Sequence, residues 1–324
     1  MRCLITGANG FLGSHLAKAL AARGDFVRCL VREGSNASSL ANLPVERAAG
    51  DVTKPETLTD ALRDIETVFH LAGIRRAAGR QAFIDANAEG TRHVADAMVR
   101  AKARRLVFCG SLAASGPSTA QRPRIETDPW CPEEPYGESK ALGEQIAFSY
   151  QGRLEVTSIR PSRILGPLDH ENLTFFKLAK RGVILMIGGG PRPLSMVDVD
   201  DVVAQLLLQA DRREAVGEAF FCSSDETISL EGVMQLAATA MNVSARSVYL
   251  PPWALGALGE STDVITRLTG TKLPLNRKLA RQLLAPGWTC SIGKAKAVLG
   301  YRPVKTIAES IERSAKSYLE AGWL

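Results

Sequence analysis

Arg2-Cys3-Leu4-Ile5 reads as a short buried strand, and Thr6-Gly7-Ala8-Asn9-Gly10-Phe11-Leu12-Gly13 leads from it into an apolar-periodic helix that runs to about Arg23. Strand, glycine turn and helix in that order are what a dinucleotide site needs. Gly7 permits the tight turn, Gly10 lets backbone approach a pyrophosphate, and Gly13 allows close helix–strand packing, with the phosphates at the helix N-terminus. Glycines alone would describe an ordinary turn; the strand before them and the helix after them favour the cofactor reading.

Working outward, a second strand over 26–31 ends in Arg32, about twenty residues beyond the glycines, where an acid commonly binds the ribose hydroxyls of NAD. An Arg there suits the 2′-phosphate of NADP, although Glu33 beside it keeps NAD as the alternative. Further units follow: a strand over 45–49 leading into Gly50-Asp51-Val52, a helix over 55–64, a strand over 67–71 closed by Ala72-Gly73, a long helix over 81–102 and a fifth strand over 105–109. This alternation predicts an α/β fold, a doubly wound parallel sheet with ligands at the carboxyl ends of its strands. Asp51, Ala72, Gly73, Gly110 and Ser111 all fall at such ends.

Tyr136-Gly137-Glu138-Ser139-Lys140 can hold a phenol and an ammonium on one helical face, because residues four apart are surface neighbours. Pro135 before it and Leu142, Ile146 and Ala147 after it predict the helix. A phenol ordinarily titrates near 10, and a nearby cation favours its ionised form. Tyr136 is therefore a candidate general acid or base for a carbonyl/alcohol pair. Ser111, directly after the fifth strand, is the candidate donor to the substrate oxygen, with Ser115 and Ser118 as runners-up; a helix cap is its plainer role.

With 45% hydrophobic and 23% charged residues, the 324-residue chain has the composition of an ordinary globular protein and is long enough for a large and a small lobe. No stretch approaches the ~18 consecutive apolar residues of a membrane helix, so the expectation is a cytoplasmic protein without stable membrane insertion. Six cysteines without a C-x-x-C pair and four dispersed histidines argue against disulfides and structural zinc. The net charge of +6 is spread thinly, with short clusters such as Arg75-Arg76, and lacks interleaved aromatics. Attraction of an anionic cofactor or substrate fits better than nucleic-acid binding.

Taken together these stretches resemble the extended short-chain dehydrogenase/reductases over nearly the whole chain. Thr6–Gly13 is similar to their glycine loop, Asp51-Val52 to their adenine-contacting pair, Asn87-Ala88-Glu89-Gly90-Thr91 to their N-x-x-G-T and Tyr136–Lys140 to their Y-G-x-S-K. Arg160-Pro161-Ser162-Arg163-Ile164-Leu165-Gly166-Pro167, Val197–Val202 and Ala297–Pro303 resemble three later motifs. The resemblance implies a Rossmann-type domain over 1–167, with later returns near 195–222, and a smaller interleaved substrate lobe over 168–324. It implies that Gly7, Asn9, Gly10, Phe11, Leu12, Gly13, Arg32, Asp51, Val52, Leu71, Ala72, Gly73 and Pro161 meet the cofactor. Lys140 would bind the nicotinamide ribose and lower the Tyr136 pKa.

Two chemistries occur in that family. Reductases exchange free cofactor, whereas nucleotide-sugar epimerases and dehydratases retain NAD. Sugar-nucleotide members often place Arg-Asp-Phe before the late helix to grip a diphosphate; here Leu194-Ser195-Met196 stands there, with Arg192 two residues off register. With Arg32, this favours an NADP-preferring oxidoreductase interconverting a secondary alcohol and a ketone, nearest the dihydroflavonol reductase and 3β-hydroxysteroid dehydrogenase branches. The alternatives are an epimerase with bound NAD and a non-catalytic cofactor-sensing scaffold. Phe175, Phe176, Leu185, Met186, Ile187, Trp253, Leu255, Leu258, Ile265 and Leu268 supply the lobe with apolar material for a lipophilic small molecule or for its own core. Gly188–Pro191 reads as a mobile turn and 251–270 as a loop and amphipathic helix. A homodimer is among the assemblies the reading allows.

Overall fold

The computed structural model describes residues 1–77, 79–119, 121–190, 192–269 and 277–324, with side chains described throughout these except at 263–269 and 277–279. In chain order the strands are β1 (Arg2–Thr6), β2 (Phe26–Val31), β3 (Glu46–Ala49), β4 (Thr67–His70), β5 (Arg105–Cys109), β6 (Glu155–Pro161), β7 (Arg163–Leu165), β8 (Val183–Ile187), β9 (Pro193–Asp198), β10 (Ala219–Cys222), β11 (Thr227–Ser229) and β12 (Arg246–Leu250). The helices are α1 (Phe11–Ala22), α2 (Arg80–Phe83), α3 (Gly90–Ala101), α4 (Leu112–Ser115), α5 (Pro135–Phe148), α6 (Leu173–Lys180), α7 (Val199–Asp211), α8 (Leu230–Ala240), α9 (Pro252–Thr269), α10 (Arg277–Leu284), α11 (Gly293–Leu299) and α12 (Ile307–Glu320).

A seven-stranded sheet in the order β3-β2-β1-β4-β5-β6-β10 carries the site, and every neighbouring pair in it is parallel. Side chains alternate across a strand, so each strand serves two cores. Cys3 and Ile5 face the layer holding Leu16, Leu20, Leu206 and Phe220, while Leu4 faces the layer holding Val94, Met98 and Ala147. Strand order reverses between β1 and β4, and that is where a doubly wound sheet opens a crevice at its carboxyl edge. Two smaller sheets, β11-β9-β7 and β12-β8, are built from strands that follow β6 in the chain. Among the described residues, no helix is long and apolar enough to cross a membrane. The six cysteines are all free, and burial pushes the Cys3 and Cys29 thiols up to about 12.

Several elements differ from the expectation. Over 55–64 the chain makes two 3₁₀ turns, Pro55–Leu58 and Asp60–Leu62, rather than one helix. Thr57 Oγ1 bonds the carbonyls of Lys54 and Asp51, and such local side-chain bonds compete with helix propagation. The long helix over 81–102 contains a π turn, Ile84–Glu89, between α2 and α3. The apolar stripe of α5 divides: Ala147 is buried, whereas Leu142 and Ile146 join Ile84 and Ala88 around an outward cavity of about 370 Å³. Phe175, Phe176 and Leu255 are core residues, but Trp253 and Leu258 face solvent. The side chains of Ile265 and Leu268, and residues Pro191 and Gly270, lie outside the described residues.

The late motifs prove to be bolted together. Asp198 caps α7 by accepting from the Asp200 N–H and binds Arg313, while Asp201 accepts the backbone N–H groups of Val304 and Lys305. Tyr301 donates its hydroxyl to the Ser223 carbonyl. The stretch around α12 is thereby tied to the start of α7 and to the residue after β10.

Candidate active site

The glycine turn is compact for steric reasons that can be read from the backbone. Gly7 has φ +71°, and a Cβ there would stand 2.8 Å from the Ala72 nitrogen at the end of β4. A Cβ at Gly13 would stand 2.2 Å from the Gly7 carbonyl oxygen. Gly10 is the residue before α1 in extended conformation, and no side chain caps the first-turn N–H groups. A pyrophosphate fits such a cradle, because unpaired N–H groups and the helix dipole both favour an anion. Phe11 and Leu12 are half-buried in the first turn of α1. Asn9 instead uses its amide on the Asn36 carbonyl, 2.9 Å away, and on Ser35 Oγ, fastening the turn to the loop after β2.

Arg32 follows β2 and is exposed, with Glu33 exposed beside it. Asp51 accepts from the backbone and hydroxyl of Thr53 at 2.9 Å; burial raises its pKa, but those bonds and the Arg32 charge outweigh it and the carboxyl lies below its ordinary value. Val52 is buried, and its carbonyl meets His93 Nδ1 at 2.8 Å. Leu71, Ala72 and Gly73 leave β4 beside the glycine turn, and Pro161 is buried at the end of β6.

From β4 a buried chain of hydrogen bonds runs to the helix that carries Tyr136. Burial, with the Lys140 charge adding to it, holds the His70 imidazole down at about 3, so it is neutral. Thr91 donates its single hydroxyl proton to the Asn87 carbonyl at 2.7 Å, so its contact at 3.1 Å with His70 Nε2 must be donated by the ring. Nδ1 is then the acceptor, and the Thr6 hydroxyl donates to it at 2.7 Å while accepting from the Ala72 N–H at 3.1 Å. Asn87, displaced inward by the π turn, accepts from the Ile74 N–H at 2.7 Å and donates to the Ile74 carbonyl and to Ser139 Oγ. Ser139 in turn donates to the Tyr136 carbonyl at 2.8 Å. One network therefore sets the glycine turn, the β4 exit and the first turn of α5 relative to each other.

Ser111 and Tyr136, 25 residues apart in sequence, meet. Ser111 caps α4 by accepting from the Ala113 N–H at 3.1 Å, and its side chain also hydrogen-bonds the Tyr136 phenol. Its cap role and its place in the site are thus simultaneous. Ser118 is spent on Thr289, with three bonds of 2.6–2.9 Å, and Ser115 is buried. The Tyr136 phenol is pushed above its ordinary value by burial, opposed by the Arg75 charge and the Ser111 bond. A cation from outside the helix also acts on the phenol: Arg75, whose Cζ lies 5.5 Å from the Tyr136 ring centre. Lys140 is buried with its ammonium 4.6 Å from the Phe108 ring centre, and burial lowers its pKa. A Cβ at Gly73 would come within 3.9 Å of that ammonium.

Arg192, the cation two residues off the diphosphate register, is turned inward. It donates to the carbonyls of Ile187, Gly190 and Leu284 at 3.1–3.5 Å. Leu194, which occupies the register itself, packs in the lobe core.

Two site residues were not singled out from the sequence. Arg75 had counted only as one member of a thin basic cluster, and Arg163 as a variable position inside a longer motif. Arg163 donates to Asn172 Oδ1 at 2.7 Å, and burial first, then the Arg75 charge, hold it below its ordinary value. No spacing in the sequence pointed to either: Arg163 is half-buried and Arg75 exposed, and the charges of Glu171 and Asp169 act on both.

Fold and side-chain arrangement define a nicotinamide-dinucleotide enzyme on a doubly wound sheet. The sequence model of the NAD dependent epimerase/dehydratase family matches residues 3–222, and the chain belongs to that family, among its extended short-chain dehydrogenase/reductase members. It is 31% identical over 99% of its length to the ceramide reductase of Caulobacter vibrioides, covering 95% of that protein. It is 29% identical over 97% of its length to the 2-alkyl-3-oxoalkanoate reductase of Stenotrophomonas maltophilia, covering 98% of it. The structure of DesIV, a dTDP-glucose 4,6-dehydratase from Streptomyces venezuelae with NAD and TYD bound, superposes with a TM-score of 0.81 at 24% identity, covering all of this chain and 98% of that one; this likeness concerns the fold. The chain is accordingly an oxidoreductase of the NAD(P)-dependent type.

Proposed function

We propose that the protein interconverts a ketone and a secondary alcohol on a lipophilic small molecule, with exchangeable NADP(H) preferred over NAD(H). The observation that carries this reading is the Tyr136 phenol hydrogen-bonded to Ser111 at the carboxyl edge of β5, with Lys140 one helical turn away. Ser111 orients the substrate oxygen and Tyr136 donates the proton during reduction, or accepts it during oxidation. The bound dinucleotide supplies or receives the hydride. Gly7, Gly10 and Gly13 make room for its pyrophosphate, Arg32 meets the 2′-phosphate, and Asp51 and Val52 flank the adenine. Leu71, Ala72, Gly73 and Pro161 wall the nicotinamide half, and Lys140 holds its ribose.

Reductase chemistry is favoured over sugar-nucleotide chemistry by Arg192, which is committed to backbone carbonyls rather than to an incoming diphosphate. The relatives that act on ceramides and on 2-alkyl-3-oxoalkanoates point the same way, towards a ketone on a lipid-like chain. A homodimer is the assembly we propose.

Denaturing freshly purified protein and identifying the released dinucleotide by mass spectrometry tests the reading. A dialysable cofactor, or none, is expected; near-stoichiometric NAD or NADH would establish the retained-cofactor epimerase instead. Replacing Arg32 by Asp removes a charge-assisted contact to the 2′-phosphate and adds repulsion. The ratio of kcat/KM for NADPH over NADH should fall by about 10- to 100-fold, as loss of a hydrogen bond to a charged group implies. An unchanged ratio would remove Arg32 from the cofactor site.

A further inference from the structure

Exposed apolar surface is unevenly spread over the chain. Among the described residues eight large apolar side chains are exposed, and four of them, Val248, Tyr249, Trp253 and Leu258, fall between 248 and 258. The other four are scattered along the sequence, which is ordinary for a protein surface. Trp253 is 76% exposed and Tyr249 65%. β12 pairs along one edge with β8, and Arg246, Ser247, Val248 and Tyr249 are all exposed, so both faces of the strand meet solvent. The stretch Pro252-Trp253-Ala254-Leu255-Gly256-Ala257-Leu258-Gly259, which opens α9, holds no charged side chain. Leu255 and Gly259 turn inward, while Trp253, Ala257 and Leu258 face solvent. A surface helix ordinarily puts polar residues on that face. Glu260 and Ser261 restore them one turn later, and Glu260 has a partner of its own. A Cβ at Gly188 would strike the Tyr249 hydroxyl, and one at Gly189 would stand 3.8 Å from Pro252 Cγ, so the ring and the helix start share the carboxyl end of the β12-β8 pair.

Three cations stand at the other end of that pair. Arg246 opens β12, and its N–H donates to the Gly182 carbonyl at 2.9 Å, which sets it beside Arg181 and the last turn of α6 with Lys180. All three are exposed, and among the described residues none makes an ion pair. From Arg246 to Leu250 the strand covers only about 13 Å. Apolar side chains and unpaired cations this close together limit what can cover them. A second copy related by a twofold axis would bring the three cations towards their own images. An anionic bilayer surface suits both parts. Trp and Tyr rings enter a headgroup layer with their polar tips in water, and Lys and Arg stems extend towards phosphate. Eight helical residues span about 12 Å, too short to cross a bilayer but long enough to lie in its interface.

We propose that β12 and the first two turns of α9 form a membrane-docking face: Tyr249, Trp253 and Leu258 enter the headgroup region of an anionic phospholipid bilayer, and Lys180, Arg181 and Arg246 meet its phosphates. Adsorption is peripheral and reversible. The face stands apart from the ketone/alcohol reading, because none of its residues belongs to the Ser111–Tyr136 site.

The test sediments the purified protein with vesicles of phosphatidylcholine alone and of equal parts phosphatidylcholine and phosphatidylglycerol. The protein should partition onto the mixed vesicles and come off as salt is raised. Trp253→Glu should lower that partition by at least about tenfold, through the loss of one buried aromatic side chain. Arg181→Gln combined with Arg246→Gln should lower it by about 30-fold on mixed vesicles and leave the weaker binding to phosphatidylcholine unchanged. Both changes fall on exposed side chains, so an unmoved thermal midpoint verifies that the variants are folded. Brominated phosphatidylcholine in the mixed vesicles should quench tryptophan fluorescence of the wild type, and Trp253→Phe should abolish the quenching. Failure to bind mixed vesicles, or binding unmoved by Trp253→Glu, overturns the docking face. Quenching that survives in Trp253→Phe overturns it too, because the lipid contact would then lie at another tryptophan. A dimer in vesicle-free buffer that Trp253→Glu converts to monomer would show that a second copy covers the face, and the membrane assignment would be wrong.

Discussion

Tyr136→Phe should lower kcat by about 10²- to 10⁴-fold, the usual contribution of a positioned general acid or base, with dinucleotide affinity and fold unchanged. The substitution removes one oxygen from a ring that otherwise keeps its edge-to-face contact with Phe83, 6.4 Å between centres. The network that orients the helix passes through the Tyr136 backbone carbonyl, not the phenol, so Ser139 and Asn87 remain in place. The pH dependence has a definite sign. Burial holds the phenol above its ordinary value, so in ketone reduction the required protonated form persists through the neutral range and is lost only as pH rises through that elevated pKa. Alcohol oxidation needs the ionised form and should climb over the same alkaline range. Both dependences should vanish in the Phe variant. A kcat within tenfold of wild type, measured in both directions, would remove Tyr136 from the chemistry.

The parts of this molecule that were legible in the sequence are those whose physics is local. Gly7 and Gly13 stand where any Cβ would collide, and the alternation of Cys3, Leu4 and Ile5 between two cores is a property of one strand. Tyr136 and Lys140 share a helix, so their spacing was visible, yet their electrostatics were not. Lys140 places its ammonium over the Phe108 ring, and a further cation meets the Tyr136 ring from residue 75, on a loop tied down through Asn87 and Glu171. Nothing in the spacing of Arg75 and Tyr136 announces that they meet. The inward place of Asn87 likewise depends on a π turn, which period-3.6 patterning does not encode. Asn9 shows the converse: its position in a cofactor loop was legible, but its amide is spent on the neighbouring loop.

Glu144→Ala should cost about 3–5 kcal/mol of folding stability, the penalty for leaving a buried charge without its partner. Against a typical total of about 5–15 kcal/mol this is a large share. Glu144 lies on the buried face of α5, its side chain 1% exposed, and meets Arg160 of β6, 6% exposed, at 2.6 Å. Both carboxylate oxygens are used, since Ser158 Oγ donates to one at 2.9 Å. Arg160 also donates to the Glu126 carbonyl and lies 4.2 Å from the Trp130 ring centre, so the pair fixes the segment that leads into α5. Removing the carboxylate leaves the guanidinium with one carbonyl and the rings of Trp130 and Phe221. The pair's own net contribution is a different quantity, because its two desolvation costs offset much of its attraction. Replacing both members by apolar residues, Glu144→Leu with Arg160→Met, should therefore recover most of what the single change loses. Urea denaturation of the single and double variants reads this from their midpoints at constant slope. The consequence reaches the chemistry as well: a Cβ at Gly110 would stand 2.7 Å from Glu144 Oε2, so the carboxylate is packed beneath the peptide that positions Ser111. If the single variant loses less than about 1 kcal/mol, the scale of an exposed ion pair, then the pair does not anchor α5. The Ser111–Tyr136 geometry must in that case be held by the Asn87 network alone.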